Sequence, residues 1–92
     1  MILSLTVEVI LYNAHSLKEK RAVLQRLFAH IGGQQNMAVS ELDYQDLWQR
    51  AEFGVVAIAS SKTVCEQMVQ RVCNYLDQQH DLEATSIEQE WL

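Results

Sequence analysis

The chain has 92 residues, enough for one domain with a single core and too few for a second domain. Hydrophobic residues make up 49% of it, a proportion that favours a packed globule over intrinsic disorder. Twelve acidic residues against seven basic ones give a net charge of −5. An affinity of the whole molecule for nucleic acid or for an anionic membrane is therefore not expected from charge alone.

The first twelve residues and the two cysteines bear on the compartment. The N-terminal segment is apolar but alternates with Ser4, Thr6 and Glu8, and it has neither a basic start nor a small-residue cleavage site. Cys65 and Cys73 stand in a helical pattern, about 12 Å apart along the helix, which is too far for a disulfide. We expect a cytoplasmic protein with reduced thiols and no membrane contact.

The predicted elements begin with a strand at residues 2–12, where apolar and polar positions alternate. A helix follows. Ser16 stands three residues before Glu19, the spacing of a capping box, and apolar residues then recur at helical spacing up to Ile31. The pair Gly32–Gly33 predicts its end, because glycine readily takes the left-handed conformation of a C-terminal cap.

Residues 36–42 predict a second, weaker strand, and residues 53–60 predict a third, the most apolar run in the chain. A second helix begins at a cap on Ser60 or Ser61 and has an apolar stripe at helical spacing. An acid-rich strand at residues 82–92 closes the chain. The stripe consists of Cys65, Met68, Val69, Val72, Cys73 and Leu76.

The order strand, helix, strand, strand, helix, strand predicts an α+β fold. It is the order of the ferredoxin-like βαββαβ sandwich, a four-stranded antiparallel sheet with two helices on one face. The right-handed crossover rule places strands 1 and 3 in the centre and strands 2 and 4 at the edges. Residues 1–92 are thus expected to form a single ferredoxin-like domain.

The third predicted strand is apolar on both sides. Phe53, Val55 and Ala57 point one way, and Val56 and Ile58 point the other. A central strand whose open side faces water should carry polar residues there. We expect another chain to cover the open side or an edge, most simply in a homodimer, and the alternative is a modest exposed patch on a monomer.

The chain has no pattern typical of a catalytic, cofactor or metal site. None of the three histidines has a ligand at metal spacing, the serines and cysteines lack a nucleophile motif, and no glycine-rich phosphate loop is present. The third-strand signature of an RNA-recognition motif is also missing. We expect a non-enzymatic protein without a small-molecule substrate.

Two stretches are candidates for binding a partner. In "SLKEKRAVLQR", Lys18, Arg21 and Gln25 fall on one line of the helix with Lys20 nearby, and this line could contact RNA phosphates. The alternative is an amphipathic helix whose solvent side happens to be basic.

The second stretch is "DYQDLWQRAEFG", between strands 2 and 3. Asp46 can cap a short helical turn and pair with Arg50 four residues later. Trp48 either points outward with Arg50, as an interaction hot spot, or packs beneath the loop as an apolar plug, which is the orientation we expect. The candidate residues for RNA or partner binding are Lys18, Lys20, Arg21, Gln45, Asp46, Trp48 and Arg50.

The two stretches in combination resemble the YlxP-like family of small bacterial proteins. The shared residues are Ser16, Leu17, Lys18, Lys20 and Arg21 at the helix opening and Gln45 to Ala51 in the connection. The resemblance covers essentially the whole chain. It departs at Tyr44, where a His is common in relatives, and in the turn at 32–35, which is less basic.

The resemblance implies a ferredoxin-like fold and no established catalytic activity. Genes of the family often lie beside those for translation initiation and ribosome-maturation factors, which favours a role on the ribosome or another RNA. Our leading hypothesis is an accessory protein that docks on RNA through the basic helix and the strand 2–3 loop, provided that the two lie close together. The alternative is a homodimeric protein–protein interaction module with no nucleic-acid contact.

Overall fold

One antiparallel sheet of four strands carries both helices on one face. The computed structural model describes all residues, 1–92. The strands lie in the order β2-β3-β1-β4, with β1 and β3 in the centre. This confirms the predicted α+β fold, which is consistent with a ferredoxin-like sandwich. The elements are β1 (Ile2–Ile10), α1 (Leu17–Gly32), β2 (Met37–Asp43), β3 (Arg50–Ile58), α2 (Lys62–Asp77) and β4 (Glu83–Trp91).

The core lies between the sheet and the helices, and the two central strands supply its floor. Every second residue of β1 and β3 is buried, so Leu5 and Val7 face the helices beside Val55 and Phe53, their register partners. The ring of Phe53 meets that of Phe28 of α1 edge to face, with centroids 5.6 Å apart. A fully buried side chain of this kind stabilises the fold by about 1.5–3 kcal/mol. The alternation in the sequence therefore decides which face of the sheet carries the helices.

Both helices begin at the predicted caps. Ser16 Oγ accepts a hydrogen bond from the backbone N–H of Glu19 at 3.1 Å, and the Glu19 carboxylate accepts one from the N–H of His15 at 2.5 Å. At α2 the cap is Ser61, whose Oγ accepts from the N–H of Val64 at 3.4 Å. Neither helix is long and apolar enough to span a membrane.

The third strand begins earlier than the sequence predicts. It starts at Arg50 and not at residue 53, because Ala51 is fully buried and continues the inward alternation. Its first residues pair with the end of β1, Arg50 opposite Ile10 and Glu52 opposite Glu8. The connection between β2 and β3 is therefore short, and Arg50 belongs to the sheet.

The glycines at the end of α1 do not act through a left-handed conformation. Gly33 has φ −76° and ψ −13°, and its N–H closes the helix on the carbonyl of Ala29 at 3.0 Å. A Cβ at Gly33 would lie 2.7 Å from that carbonyl oxygen, whereas a Cβ at Gly32 would meet only Val39 Cγ1 at 3.6 Å. Gly33 is thus needed for a close backbone approach, and Gly32 is not.

Replacing each glycine by alanine should therefore have opposite effects. Gly32→Ala is expected to raise the free energy of unfolding by up to about 1 kcal/mol, because alanine has the better helix propensity. Gly33→Ala is expected to lower it, because the new methyl group meets backbone that cannot move aside. Chemical denaturation of the two variants beside the parent protein measures both changes, and equal shifts in the same direction would contradict this account.

Candidate interaction surface

The sheet has a second face that no helix covers. We call it the open face, and its central residues are Ile2, Ser4, Thr6, Glu8 and Ile10 of β1 and Arg50, Glu52, Gly54, Val56 and Ile58 of β3. The register adds Ala38, Ser40 and Asp43 from β2 and Glu83, Ser86, Glu88 and Glu90 from β4. This face and the connection at 44–49 contain most of the candidate residues.

Lys20 joins helix α1 to the start of this connection. Its side chain is almost fully buried, and Nζ donates a hydrogen bond to the backbone oxygen of Tyr44 at 2.6 Å. Nζ also lies 3.1 Å from Glu41 Oε2, an approach off the hydrogen-bonding direction that leaves this oxygen without a hydrogen bond. Lys20 therefore has no surface for a phosphate, and its predicted role in RNA contact is wrong. The leading hypothesis requires the loop to lie close to the start of α1, and the contact between Lys20 and Tyr44 shows that it does.

Tyr44 is held in an uncommon backbone conformation by this contact. Its φ is 61°, in the left-handed region, which costs a residue other than glycine about 1–3 kcal/mol. The Lys20 ammonium fixes its carbonyl, and Asp43 Oδ1 accepts from its N–H at 2.7 Å. The chain therefore turns sharply at the end of β2 and places the Tyr44 ring beside Arg50.

Arg50 pairs across the sheet and not within the loop. One guanidinium nitrogen donates to both carboxylate oxygens of Glu8, at 3.1 and 3.3 Å, and the group lies 4.1 Å from the centre of the Tyr44 ring. A hydrogen bond to Glu8 raises the pKa of Tyr44, while the charge of Arg50 opposes that shift. The predicted pair between Arg50 and Asp46 is absent, and so is the helical turn that Asp46 would cap. Arg50 pairs with Glu8 and not with Asp46 because Arg50 and Glu8 lie on adjacent strands and both point to the open face.

Trp48 points into solvent. It is 52% exposed, and with Leu47, Ile10 and Arg50 it lines a shallow pocket of about 470 Å³ at one end of the open face. The expected inward orientation is wrong, because the loop needs no apolar plug. Backbone bonds hold it: the N–H of Leu11 donates to the carbonyl of Gln49 at 2.9 Å.

A depression of about 300 Å³ lies further along the open face. Its floor is Gly54, with Thr6 and Val56 beside it and Leu42 of β2 as one wall. A Cβ at Gly54 would lie 2.9 Å from Leu42 Cδ1, so the missing side chain is what lets Leu42 lie across the strand. Leu42 and Ile58 are each 52% exposed and Val56 is 39% exposed. The sequence pattern of β3 indicated Val56 and Ile58, but Leu42 could not be assigned before the β2 register was known.

The seven candidate residues do not form one surface. Trp48 and Arg50 belong to the open face, whereas Lys18 and Arg21 are exposed on helix α1 in the opposite layer. Gln45 and Asp46 are exposed in the connection between the two. The basic helix and the loop meet at the buried Lys20, whereas the exposed Lys18 and Arg21 lie on the helix and Trp48 lies on the open face. The structure therefore separates a cationic helix surface from an apolar sheet surface.

Residues 2–89 match the family described as "Protein of unknown function (DUF503)", and the chain belongs to this family. A relative from Bacillus subtilis (strain 168), titled "Uncharacterized protein YlxP", is 44% identical over 84 residues, which cover 91% of each chain. The YlxP-like family predicted from the two motif stretches is therefore confirmed.

Two solved structures share the architecture. "De novo designed protein Foldit4" has a TM-score of 0.65 at 8% identity, covering 100% of this chain and 99% of that one. The C-terminal segment of the alpha subunit of aIF2 from Pyrococcus abyssi has a TM-score of 0.59 at 11% identity, covering 99% of this chain and 51% of that one. At such identities the likeness shows the fold alone.

The buried position of Lys20 predicts a large loss of stability on its removal. Taking one partner from a buried ion pair costs about 3–5 kcal/mol, and Lys20→Met should fall in the lower part of that range because the Glu41 side chain is still 24% exposed. Lys18→Met is the matched control, an exposed lysine on the same helix turn, and should change stability by no more than about 0.5 kcal/mol. Urea denaturation measures both.

Adding Glu41→Leu to Lys20→Met should restore part of the lost stability, since the carboxylate left without its cation is then gone. Equal stabilities of the Lys20→Met and Lys18→Met proteins would show that Lys20 does not hold the connection.

Proposed function

We propose that the protein is a non-enzymatic cytoplasmic interaction module whose open face docks another protein chain. The observation that carries the proposal is the cluster of half-exposed apolar side chains on that face. Val56 and Ile58 stand on a central strand, where an antiparallel sheet facing water would carry polar residues. Trp48 and Arg50 stand at the end of the same face, and these residue types dominate the binding energy of many interfaces.

The remaining apolar residues extend this surface along the sheet. Leu42 lies across Gly54, and Leu47 lies beside Trp48 and Ile10. The row of Glu8 and Glu52 lies between the two apolar clusters. Exposed apolar clusters on a small domain are a frequent mark of a protein contact. The homodimer expected from the sequence is one form of such a contact, and it stays a prediction.

Position-specific photo-crosslinking in cells that produce the protein tests this proposal. A photoreactive phenylalanine analogue at Val56 should give a covalent adduct with another chain, because Val56 borders the depression. The same analogue at Gln67, which is exposed on α2 in the opposite layer, is the control and should give none. Equal adducts from both positions, or adducts from Gln67 alone, would rule out the open face as the docking surface.

A second candidate function is contact with RNA or the ribosome through helix α1. Lys18 and Arg21 are exposed and neither forms an ion pair within the chain, so their charges are free for phosphates. This candidate ranks below the first because Lys20 is buried and Arg50 is bound to Glu8 on the other face. Two phosphate contacts are few for a protein of net charge −5.

Salt dependence tests the RNA candidate. If Lys18 and Arg21 contact phosphates, binding to a labelled single-stranded RNA should weaken with salt at a logarithmic slope of about −1.4, from −0.7 per contact. Lys18→Glu with Arg21→Glu should abolish the binding, whereas Lys62→Glu with Arg71→Glu, which changes the charge equally on α2, should leave most of it. Equal losses in both double variants would assign the effect to net charge and contradict a site on α1.

A further inference from the structure

The charges of the chain are segregated between its two layers. Six of the seven bases lie on the helices α1 and α2, together with three of the twelve acids. The open face carries six acids and a single base, Arg50. These acids are Glu8, Asp43, Glu52, Glu83, Glu88 and Glu90. The surface with the exposed apolar residues is thus also the most acidic surface of the molecule.

Most of the open-face acids have no cation of their own. Arg50 is bound to Glu8, and neither Glu52, Glu88 nor Glu90 lies within ion-pair distance of a base. Like charges on one face repel each other, and an incoming cation relieves that repulsion. The negative charge of the open face therefore favours binding of a positively charged partner.

The acids and the apolar residues stand at fixed positions relative to each other. The register places Gly54, Thr6 and Glu88 in one row across β3, β1 and β4, and Val56, Ser4 and Glu90 in the next. Neighbouring strands are about 4.8 Å apart, so the backbone positions of Glu88 and Glu90 are about 10 Å across the sheet from those of Gly54 and Val56. Thr6 and Ser4 of β1 lie between them and form the near side of the depression. An α-helix with its side chains is about 10–12 Å wide. A helix lying along β1 can therefore put one flank over the depression and the other beside Glu88 and Glu90.

From this geometry we infer that the open face docks a cationic amphipathic helix of a partner protein, an inference that rests on the proposed docking function. A large apolar side chain of the partner occupies the depression above Gly54, and Lys or Arg residues on one flank of its apolar stripe meet Glu88 and Glu90. Strands of nine residues run for about 30 Å, the length of a 20-residue helix.

A second copy of this chain is a poorer occupant of the same surface. Two open faces in contact would bring six acids against six, with only one Arg50 on each side to offset them. Burying unpaired carboxylates such as Glu52 is costly, and like charges across an interface suppress association. The acidic residues of the open face also disfavour binding of RNA or of anionic lipid there.

Synthetic peptides with the full-length protein test the inference. The probe is a labelled 20-residue peptide of leucine and lysine, with leucines on one helical face and lysines on the other. A second peptide replaces every lysine by glutamate, and a third scrambles the first so that leucine and lysine do not segregate. Fluorescence anisotropy at about 0.15 M salt, where the Debye length is about 8 Å, should show that the first peptide binds, the scrambled one binds more weakly and the glutamate one does not bind.

Two double variants of equal charge change locate the binding. Glu88→Lys with Glu90→Lys should weaken binding of the first peptide by about tenfold, since two exposed ion pairs are lost and replaced by repulsion. The matched control is Glu66→Lys with Asp77→Lys, two exposed acids of the helical layer. Its binding should stay within about twofold of the parent protein, because exposed charges more than one Debye length away are largely screened.

The replacement Val56→Asp separates this inference from the proposed docking function. If the lysine and glutamate peptides bind equally and Val56→Asp weakens both, the proposed docking function of the open face is supported. The inference that its partner is a cationic helix is then wrong. If light scattering gives a mass of two chains that Val56→Asp reduces to one, a second copy occupies the face and the inference fails alone. If Val56→Asp and Glu88→Lys with Glu90→Lys all leave peptide binding unchanged, both proposals fail.

Discussion

The contact between the buried Lys20 ammonium and the Tyr44 carbonyl is the constraint on which the candidate surface depends. A buried ammonium needs a hydrogen-bond acceptor and a counter-charge. Here the carbonyl of Tyr44, where the chain leaves β2, accepts the hydrogen bond, and the carboxylate of Glu41 on β2 supplies the charge. The contact holds Tyr44 in a left-handed conformation, and that turn sets the direction of the connection. Trp48 is left in solvent beside Ile10, while Arg50, placed by the register of β3 against β1, reaches Glu8 across the sheet.

This constraint gives the two motif stretches of the family a structural meaning. "SLKEKR" contains Lys20, and "DYQDLWQRAEFG" contains Tyr44 and Arg50. The sequence alone predicts that both stretches belong to one phosphate-binding surface. In the structure the two stretches are joined by the buried hydrogen bond from Lys20 to the carbonyl of Tyr44. Their exposed residues, Lys18 and Trp48, belong to opposite layers. In this chain, Lys20 of the first stretch holds Tyr44 of the second in place.

The fold could be predicted because its signals are local. The alternation of β1, the cap at Ser16 and the apolar stripe of α2 each depend on spacing within a few residues. The position of Lys20 was also signalled locally. It stands three residues after Leu17 and four before Leu24, on the apolar line of the helix, so its burial could have been inferred.

The errors at Arg50 and Trp48 concern contacts between residues distant in sequence. Arg50 could be paired with Asp46 by helical spacing, but its actual partner, Glu8, is 42 residues away and is set by the β1–β3 register. The direction of Trp48 follows from a turn that a lysine on another element holds. The open-face position of Glu88 and Glu90 likewise requires the register of β4 against β1, which no local pattern specifies.

The net charge of −5 is consequently a poor guide to what the molecule can bind. The sheet and the core lie between a helical layer rich in bases and an open face rich in acids, so each layer presents its own field to a partner at contact distance. A cationic protein helix on the open face and an anionic partner on α1 would therefore not compete for the same atoms. The buried Lys20 links α1 to the end of β2 through the carbonyl of Tyr44, and because it is withdrawn from solvent it adds no charge to either surface.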